Sequence, residues 1–176
     1  ELNNSMTGDY LQAIHYTDKQ IGEFIEGLKR EGLYEDTVIA LYGDHFALQV
    51  SDTKERNIMH TLLGKPFDYD EMMNVPLLIH IPDEDINQKI STISSQVDFY
   101  PTIANIMGYN IKKGLIFGKD INNFQGESYV FPQMYIAPGS VLTKDAIYEM
   151  SRDGIFEHGK ARDTSNYMEL EIEPFR

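Results

Sequence analysis

The order of residues calls for an α/β protein that passes, beyond its middle, into a small antiparallel β tail. Three observations carry that expectation. From Thr7 to Arg30, apolar residues recur at Tyr10, Leu11, Ile14, Ile21, Phe24, Ile25 and Leu28, which is one face of a 3.6-residue helix. A β-branched and aromatic run, Thr37 to Tyr42, then breaks at Gly43 and is followed by an acid and an imidazole, Asp44 and His45. After residue 120, short apolar runs alternate with the Pro138-Gly139 and Asp153-Gly154 turn pairs.

The elements follow in order. On the first helix Asp18, Lys19, Glu23, Glu26 and Lys29 take the face opposite the apolar stripe, and Gly32 supplies a stop. The strand Thr37–Tyr42 comes next. Phe46–Gly64 reads as irregular, with a short helix from Glu55 to Leu63. A second strand is expected at Val75–Ile81, where Pro76 is tolerated because it lies near the strand's start. Helices alternating with strands predict parallel pairing in this first part. Gln96–Gly108 reads as a helix capped by Asp98, with Pro101 in its first turn, Ile103, Ile106 and Met107 on its apolar side, and Gly108 at its end. Tyr129–Ile136 and Ala146–Met150 read as strands, and a polar terminal helix is expected from Asp163 to Glu173. There is no internal repeat, and no Gly-rich phosphate loop follows a strand, which excludes Rossmann and P-loop nucleotide sites.

Composition narrows the function. A chain of 176 residues with 41% apolar and 24% charged residues is long enough to bury a core. No run approaches the roughly 18 apolar residues of a membrane span, and no charged-then-apolar signal segment opens the chain. It begins a few residues before a helix, as a piece of something longer would. The absence of cysteine excludes disulfides, thiolate catalysis and Cys-based zinc sites. Lys plus Arg number 15 against 28 for Asp plus Glu, a formal charge of −13 that repels nucleic acid, and no basic stripe offsets it. A phosphate-bearing substrate would need a local cation in that field, and a bound metal would supply one.

Gly43-Asp44-His45 is where such a metal would sit. A buried strand that ends, turns and gathers ligands at its carboxyl edge is a recurrent α/β arrangement. A carboxylate and a neutral imidazole suit Zn²⁺ or Mn²⁺, and the carboxylate alone also suits Mg²⁺. Taken alone, the dipeptide reads first as a turn at Gly43-Asp44, with His45 capping the strand. His60, within a loop's reach, is either a contact to a substrate phosphate or a half-exposed histidine on a short helix. His15 reads as an ordinary helix histidine, His80 as pointing to a sheet face, and His158 is assigned no role.

Four segments, in this order and spacing, resemble a known family. They are Tyr10-Leu11-Gln12-Ala13-Ile14-His15-Tyr16-Thr17-Asp18; Leu33 to Ile39 running into Tyr42-Gly43-Asp44-His45; Gln96-Val97-Asp98-Phe99-Tyr100-Pro101-Thr102-Ile103, closing at Met107-Gly108; and Phe117-Gly118-Lys119-Asp120. Together they resemble the C-terminal half of the sulfatase-like branch of the alkaline phosphatase superfamily, above all the lipoteichoic acid synthases and related phosphoglycerol transferases. The tail after Asp120 matches in general character only.

The resemblance implies an α/β fold that is the C-terminal portion of an alkaline phosphatase/sulfatase-like domain, with a small antiparallel sheet and a terminal helix. Residues 1–120 would be the C-terminal half of the catalytic core and residues 121–176 a β-rich subdomain. It implies Asp44 and His45 as ligands of one divalent metal, Mn²⁺ first and Mg²⁺ or Zn²⁺ behind it, with His60 as a substrate contact. The Thr or Ser nucleophile, another metal-binding acid and the main phosphoglycerol-binding residues would lie upstream, in the N-terminal half of the same domain, so the isolated chain would be inactive. The implied reaction is attack of a metal-activated alkoxide on the phosphorus of a phosphatidylglycerol-like lipid, releasing diacylglycerol and passing glycerophosphate to a polymer or glycolipid. The implied partners are that N-terminal half, an anionic glycerophospholipid and a glycerophosphate polymer, with no nucleic acid. The implied location is the extracellular face of the bacterial membrane. One departure stands out, because loss of a flexible glycine would restrict the loop and mark a divergent or weakened site: the family commonly has Gly shortly after the Asp-His pair, often with Tyr between, whereas this chain has Phe46-Ala47. Two alternatives stay open. One is another phosphatase, phosphodiesterase or sulfatase of the same fold; the other is a non-catalytic pseudoenzyme or polymer-binding module.

Overall fold

The computed structural model describes residues 2–112, 114–132 and 134–176. They mix helices with two small antiparallel sheets, and the chain divides into two compact units, Glu1–Ile86 and Asn87–Arg176.

The first unit opens with α1 (Met6–Arg30). Ser5 caps it by accepting from the Gly8 amide at 3.0 Å, and Asp9 in the first turn and Lys29 and Arg30 in the last complement the helix dipole. Its remaining N-terminal amides are satisfied from far along the chain. Glu55 on α2 (Thr53–Leu63) accepts from the Met6 amide at 3.2 Å, the Thr7 amide at 2.7 Å and the Thr7 hydroxyl at 2.5 Å. This carboxylate is only 4% exposed, and those three donors hold it in place. Hydrogen bonds from Thr7, side chain first and then backbone, hold its pKa below the ordinary value of 4.5.

Past Gly32, in the left-handed region at φ 69°, a 3-10 turn at Tyr34–Asp36 leads into β1 (Ile39–Tyr42). A short helix α3 (Tyr69–Met73) precedes β2 (Leu77–His80). On β2, His80 stacks on Tyr34 with ring centroids 4.3 Å apart.

The expected parallel pairing is not found: β1 and β2 run antiparallel, with Ile39 opposite His80 and Tyr42 opposite Leu77. The reason lies in where the chain returns. The Gly43 amide donates to the Pro76 carbonyl at 3.0 Å, so the segment carrying α2 and α3 leaves and re-enters at the same end of the sheet. A parallel partner would require a crossover back along the full strand. The core of this unit is Leu48, Val50, Phe67 and Met72, with Tyr10, Phe46, Met59, Tyr69 and Met73 packed around it.

In the second unit the helix expected from Gln96 begins as a 3-10 turn, Gln96–Asp98, and continues as α4 (Phe99–Ile106). Ser95 caps the leading turn, and Asp98, at the cap position of α4, makes no side-chain cap bond to it. Asp98 sits at the third helical position and closes a capping box by accepting from the Ser95 amide at 2.8 Å. Its other oxygen accepts from the Lys119 amide at 2.8 Å, and the Lys119 ammonium lies 3.3 Å from the oxygen that faces the Ser95 amide. The Thr102 hydroxyl accepts from the Ile121 amide at 3.1 Å. Gly118 passes so close that a Cβ there would meet the Val97 carbonyl oxygen at 2.0 Å. The two sequence segments around Asp98 and Lys119 are thus one clasp.

The tail is an antiparallel meander of β3 (Val141–Leu142), β4 (Ala146–Glu149), β5 (Lys160–Asp163) and β6 (Glu169–Leu170). The strand expected over Tyr129–Ile136 includes Gln133, which lies outside the described residues. Its described part reduces to one bridge, Val130 opposite Leu142, and Tyr135 at φ 67° breaks the extended backbone. The expected terminal helix from Asp163 to Glu173 is also corrected. Asp163 accepts from the Ser165 amide at 2.7 Å and the Asn166 amide at 3.1 Å, a local turn that competes with helix. Tyr167 at φ 62° completes the reversal into β6, and only a 3-10 turn, Glu173–Phe175, follows.

Candidate metal centre

The carboxyl end of β1 places Asp44 and His45 side by side. Gly43 is required there because a Cβ would sit 2.8 Å from the Val75 Cβ, at the point where β2 begins. The close pass of the two strands turns the next two side chains outward. Both are well exposed, Asp44 at 83% and His45 at 74% of their side-chain surface, and His45 Nε2 lies 3.8 Å from Asp44 Oδ1. Two ligand bonds of about 2.0–2.2 Å each span such a separation.

The other imidazole nitrogen is committed. His45 Nδ1 faces the Phe46 carbonyl oxygen within hydrogen-bonding distance. A carbonyl only accepts, so Nδ1 carries a proton, and in the neutral ring that leaves Nε2 with its lone pair. An imidazole whose Nδ1–H is fixed by a backbone carbonyl is the usual state of a metal-ligating histidine. The donor chemistry therefore fits a divalent ion as two members of a larger set. Among the described residues, no group of three or more His, Asp or Glu side chains is gathered to hold one.

His60 is exposed in the last turn of α2, where its carbonyl accepts from the Gly64 amide at 3.0 Å. It joins Asp44 and His45 in no cluster of three among the described residues. His158 instead pairs with Asp153, Nδ1 to Oδ2, at 2.7 Å. Reading the segment after His45 as irregular misses its anchor. The signal is present as strict alternation: Phe46, Leu48 and Val50 turn inward while Ala47 and Gln49 are exposed.

The sulfatase family model matches residues 1–109. Lipoteichoic acid synthase 2 of Bacillus subtilis (strain 168) is 34% identical over 125 residues, which are 69% of this chain and 19% of that protein. Lipoteichoic acid synthase of Staphylococcus aureus (strain USA300) is 33% identical over 157 residues, covering 84% of this chain and 23% of that protein. The chain thus spans a quarter or less of the length of these relatives. Among solved structures, the lipoteichoic acid synthase LtaP from Listeria monocytogenes superposes with a TM-score of 0.81 at 28% identity, covering 98% of this chain and 42% of that one. BT4656, solved with its substrate D-glucosamine-2-N,6-O-disulfate, shares the fold at a TM-score of 0.54 and 21% identity, over 88% of this chain and 33% of that one. With the family model covering more than half of its residues, this chain belongs to the sulfatase family, and the relatives it matches include lipoteichoic acid synthases.

Proposed function

We propose that this chain supplies the metal-binding strand end of a phosphoglycerol transferase, which moves glycerophosphate from a phosphatidylglycerol-like lipid to a lipoteichoic acid-type polymer or glycolipid. The observation that carries this is the exposed Asp44–His45 pair at the end of β1, in a chain whose relatives are named lipoteichoic acid synthases. Asp44 contributes negative charge and His45 a neutral nitrogen. A bound divalent ion, Mn²⁺ in this reading with Mg²⁺ or Zn²⁺ as alternatives, supplies a lowered hydroxyl pKa at the nucleophile and neutralises a phosphoryl oxygen. His60 is the candidate contact to a substrate phosphate.

The nucleophile, a further metal-binding acid and the lipid pocket belong, in this proposal, to the N-terminal half of the same domain. Residues 1–120 complete that core, and residues 121–176 form its β-rich appendage. Exposed Leu11, Ile14 and Phe24 along α1 and Leu78 on β2 support such a partner, because large exposed apolar surfaces mark interaction sites. The isolated chain is accordingly inactive, and the assembled enzyme works at the extracellular face of a bacterial membrane. No helix among the described residues is long and apolar enough to cross one.

The test follows diacylglycerol released from labelled phosphatidylglycerol by the complete extracellular domain, with and without Mn²⁺, for wild type and His45→Ala. Metal-dependent release that the substitution abolishes supports the proposal. Metal binding without release points to another ester substrate, and neither release nor metal binding leaves a pseudoenzyme.

A further inference from the structure

We infer that Phe46 is a positioning residue for His45, holding the imidazole in the tautomer that leaves Nε2 available, and that the Phe46-Ala47 sequence marks a working site rather than a decayed one. This rests on the assignment of Asp44 and His45 as metal ligands.

Two contacts reach the imidazole from this one residue. The Phe46 carbonyl oxygen accepts a hydrogen bond from Nδ1–H. The Phe46 ring stands edge-on to the imidazole, with centroids 6.4 Å apart and an interplanar angle of 82°, the favourable geometry for an aromatic pair. Between them they fix the position and rotation of the ring that turns Nε2 toward Asp44 Oδ1.

Phe46 can do this because it is itself anchored. It packs against the buried cluster of Leu48, Val50, Phe67 and Met72, and the inward alternation of Phe46, Leu48 and Val50 ties the segment after the ligands to that core at three successive inward positions. Two exposed ligands on an unanchored loop would sample many geometries. Here the carbonyl that orients His45 belongs to a residue whose side chain is tied into the core.

Ala47 removes the remaining ground for calling the site degenerate. A glycine is required where φ is positive, and Ala47 is not among the residues with positive φ. Its side chain is exposed, so the methyl displaces nothing in the core. The backbone after the ligands follows an ordinary path that alanine adopts without strain.

The experiment uses the complete protein, labelled with ¹⁵N-histidine, as wild type, Phe46→Ala and Phe46→Tyr. Spectra recorded without metal report the His45 tautomer, and calorimetry with Mn²⁺ alone reports affinity. The expected wild-type spectrum has a protonated Nδ1 and an unprotonated Nε2. Phe46→Ala should give mixed tautomers and an affinity about 10- to 100-fold weaker, the scale on which outer partners of ligating histidines act. Phe46→Tyr should restore both, and unchanged His60 and His158 signals will show that the fold has held. A wild-type tautomer and affinity in Phe46→Ala would overturn the inference, as would failure of Phe46→Tyr to restore them in a folded protein. A wild type that holds the tautomer but binds no Mn²⁺ overturns the ligand assignment instead, and the spectrum tells the two failures apart.

Discussion

Replacing Asp98 by asparagine tests the clasp that joins the start of α4 to the segment around Lys119. The carboxylate receives three donors: the Ser95 amide at 2.8 Å, the Lys119 amide at 2.8 Å and the Lys119 ammonium at 3.3 Å. An asparagine amide has the same shape but only one oxygen. If that oxygen stays on the Lys119 amide, its NH₂ group faces the Ser95 amide and the ammonium, both of them donors. A buried donor left without an acceptor costs about 1–3 kcal/mol. The residue is 4% exposed, so water does not replace the lost acceptor at Ser95. The Lys119 side chain keeps 20% of its surface and recovers part of its loss in solvent. The expected cost is therefore about 2–4 kcal/mol, a large share of the ~5–15 kcal/mol that holds a domain together. Lys119→Met, which leaves both backbone donors satisfied, should cost only about 1–2 kcal/mol. The double variant should cost less than the sum, since the substituted amide then faces no cation. Because the chain forms two compact units, the assay is native-state hydrogen exchange at the Ser95 and Lys119 amides rather than a single global melt. Opening free energies within about 0.5 kcal/mol of wild type in Asp98→Asn would refute the clasp as an energetic link.

Three further outcomes follow from local geometry. Gly43→Ala should destabilise the β1–β2 pair by about 1–3 kcal/mol, because the new Cβ falls 2.8 Å from the Val75 Cβ; unchanged exchange at the residue-43 amide, which donates to Pro76, would show that the strands part freely. Glu55 has a folded pKa below its ordinary 4.5, so its contribution is complete above about pH 4.5 and is lost as pH falls through the lower folded value. Exchange at the Met6 and Thr7 amides should accelerate over that acid range in wild type, and Glu55→Gln should flatten the dependence. Asp153 is held down to about 2 by the His158 side chain first, then by the Ile155 amide and Ser151. Its carboxyl resonance should titrate near that value, His158→Ala should move it toward 3.8, and a midpoint unmoved by that substitution would deny the pairing.

Much of this is legible in the amino-acid order because it is local. The 3.6-residue stripe from Tyr10 to Leu28 forms α1, the β-branched run forms β1, and the Asp52-to-Gly64 stretch holds a helix that ends at a left-handed glycine. The terminal segment misleads because the polar run from Asp163 has helical composition, while Asp163 itself folds back on the Ser165 and Asn166 amides. The segment after His45 looks irregular because a search for helices and strands passes over alternation in a loop, although that alternation buries Leu48 and Val50.

Residue order alone sets α1, β1 and α2, the place where a strand ends in Asp44 and His45, and the family, since each depends on residues close together or on segments in a fixed succession. The packed chain was needed to show that β1 and β2 run antiparallel, that Glu55 closes the start of α1 from 48 positions away, and that Asp98 grips Lys119. Periodicity tells which face of an element is apolar, but not where the chain returns. Strand direction and distant hydrogen bonds are settled when separated segments compete to bury those faces and to satisfy the polar groups that burial leaves behind.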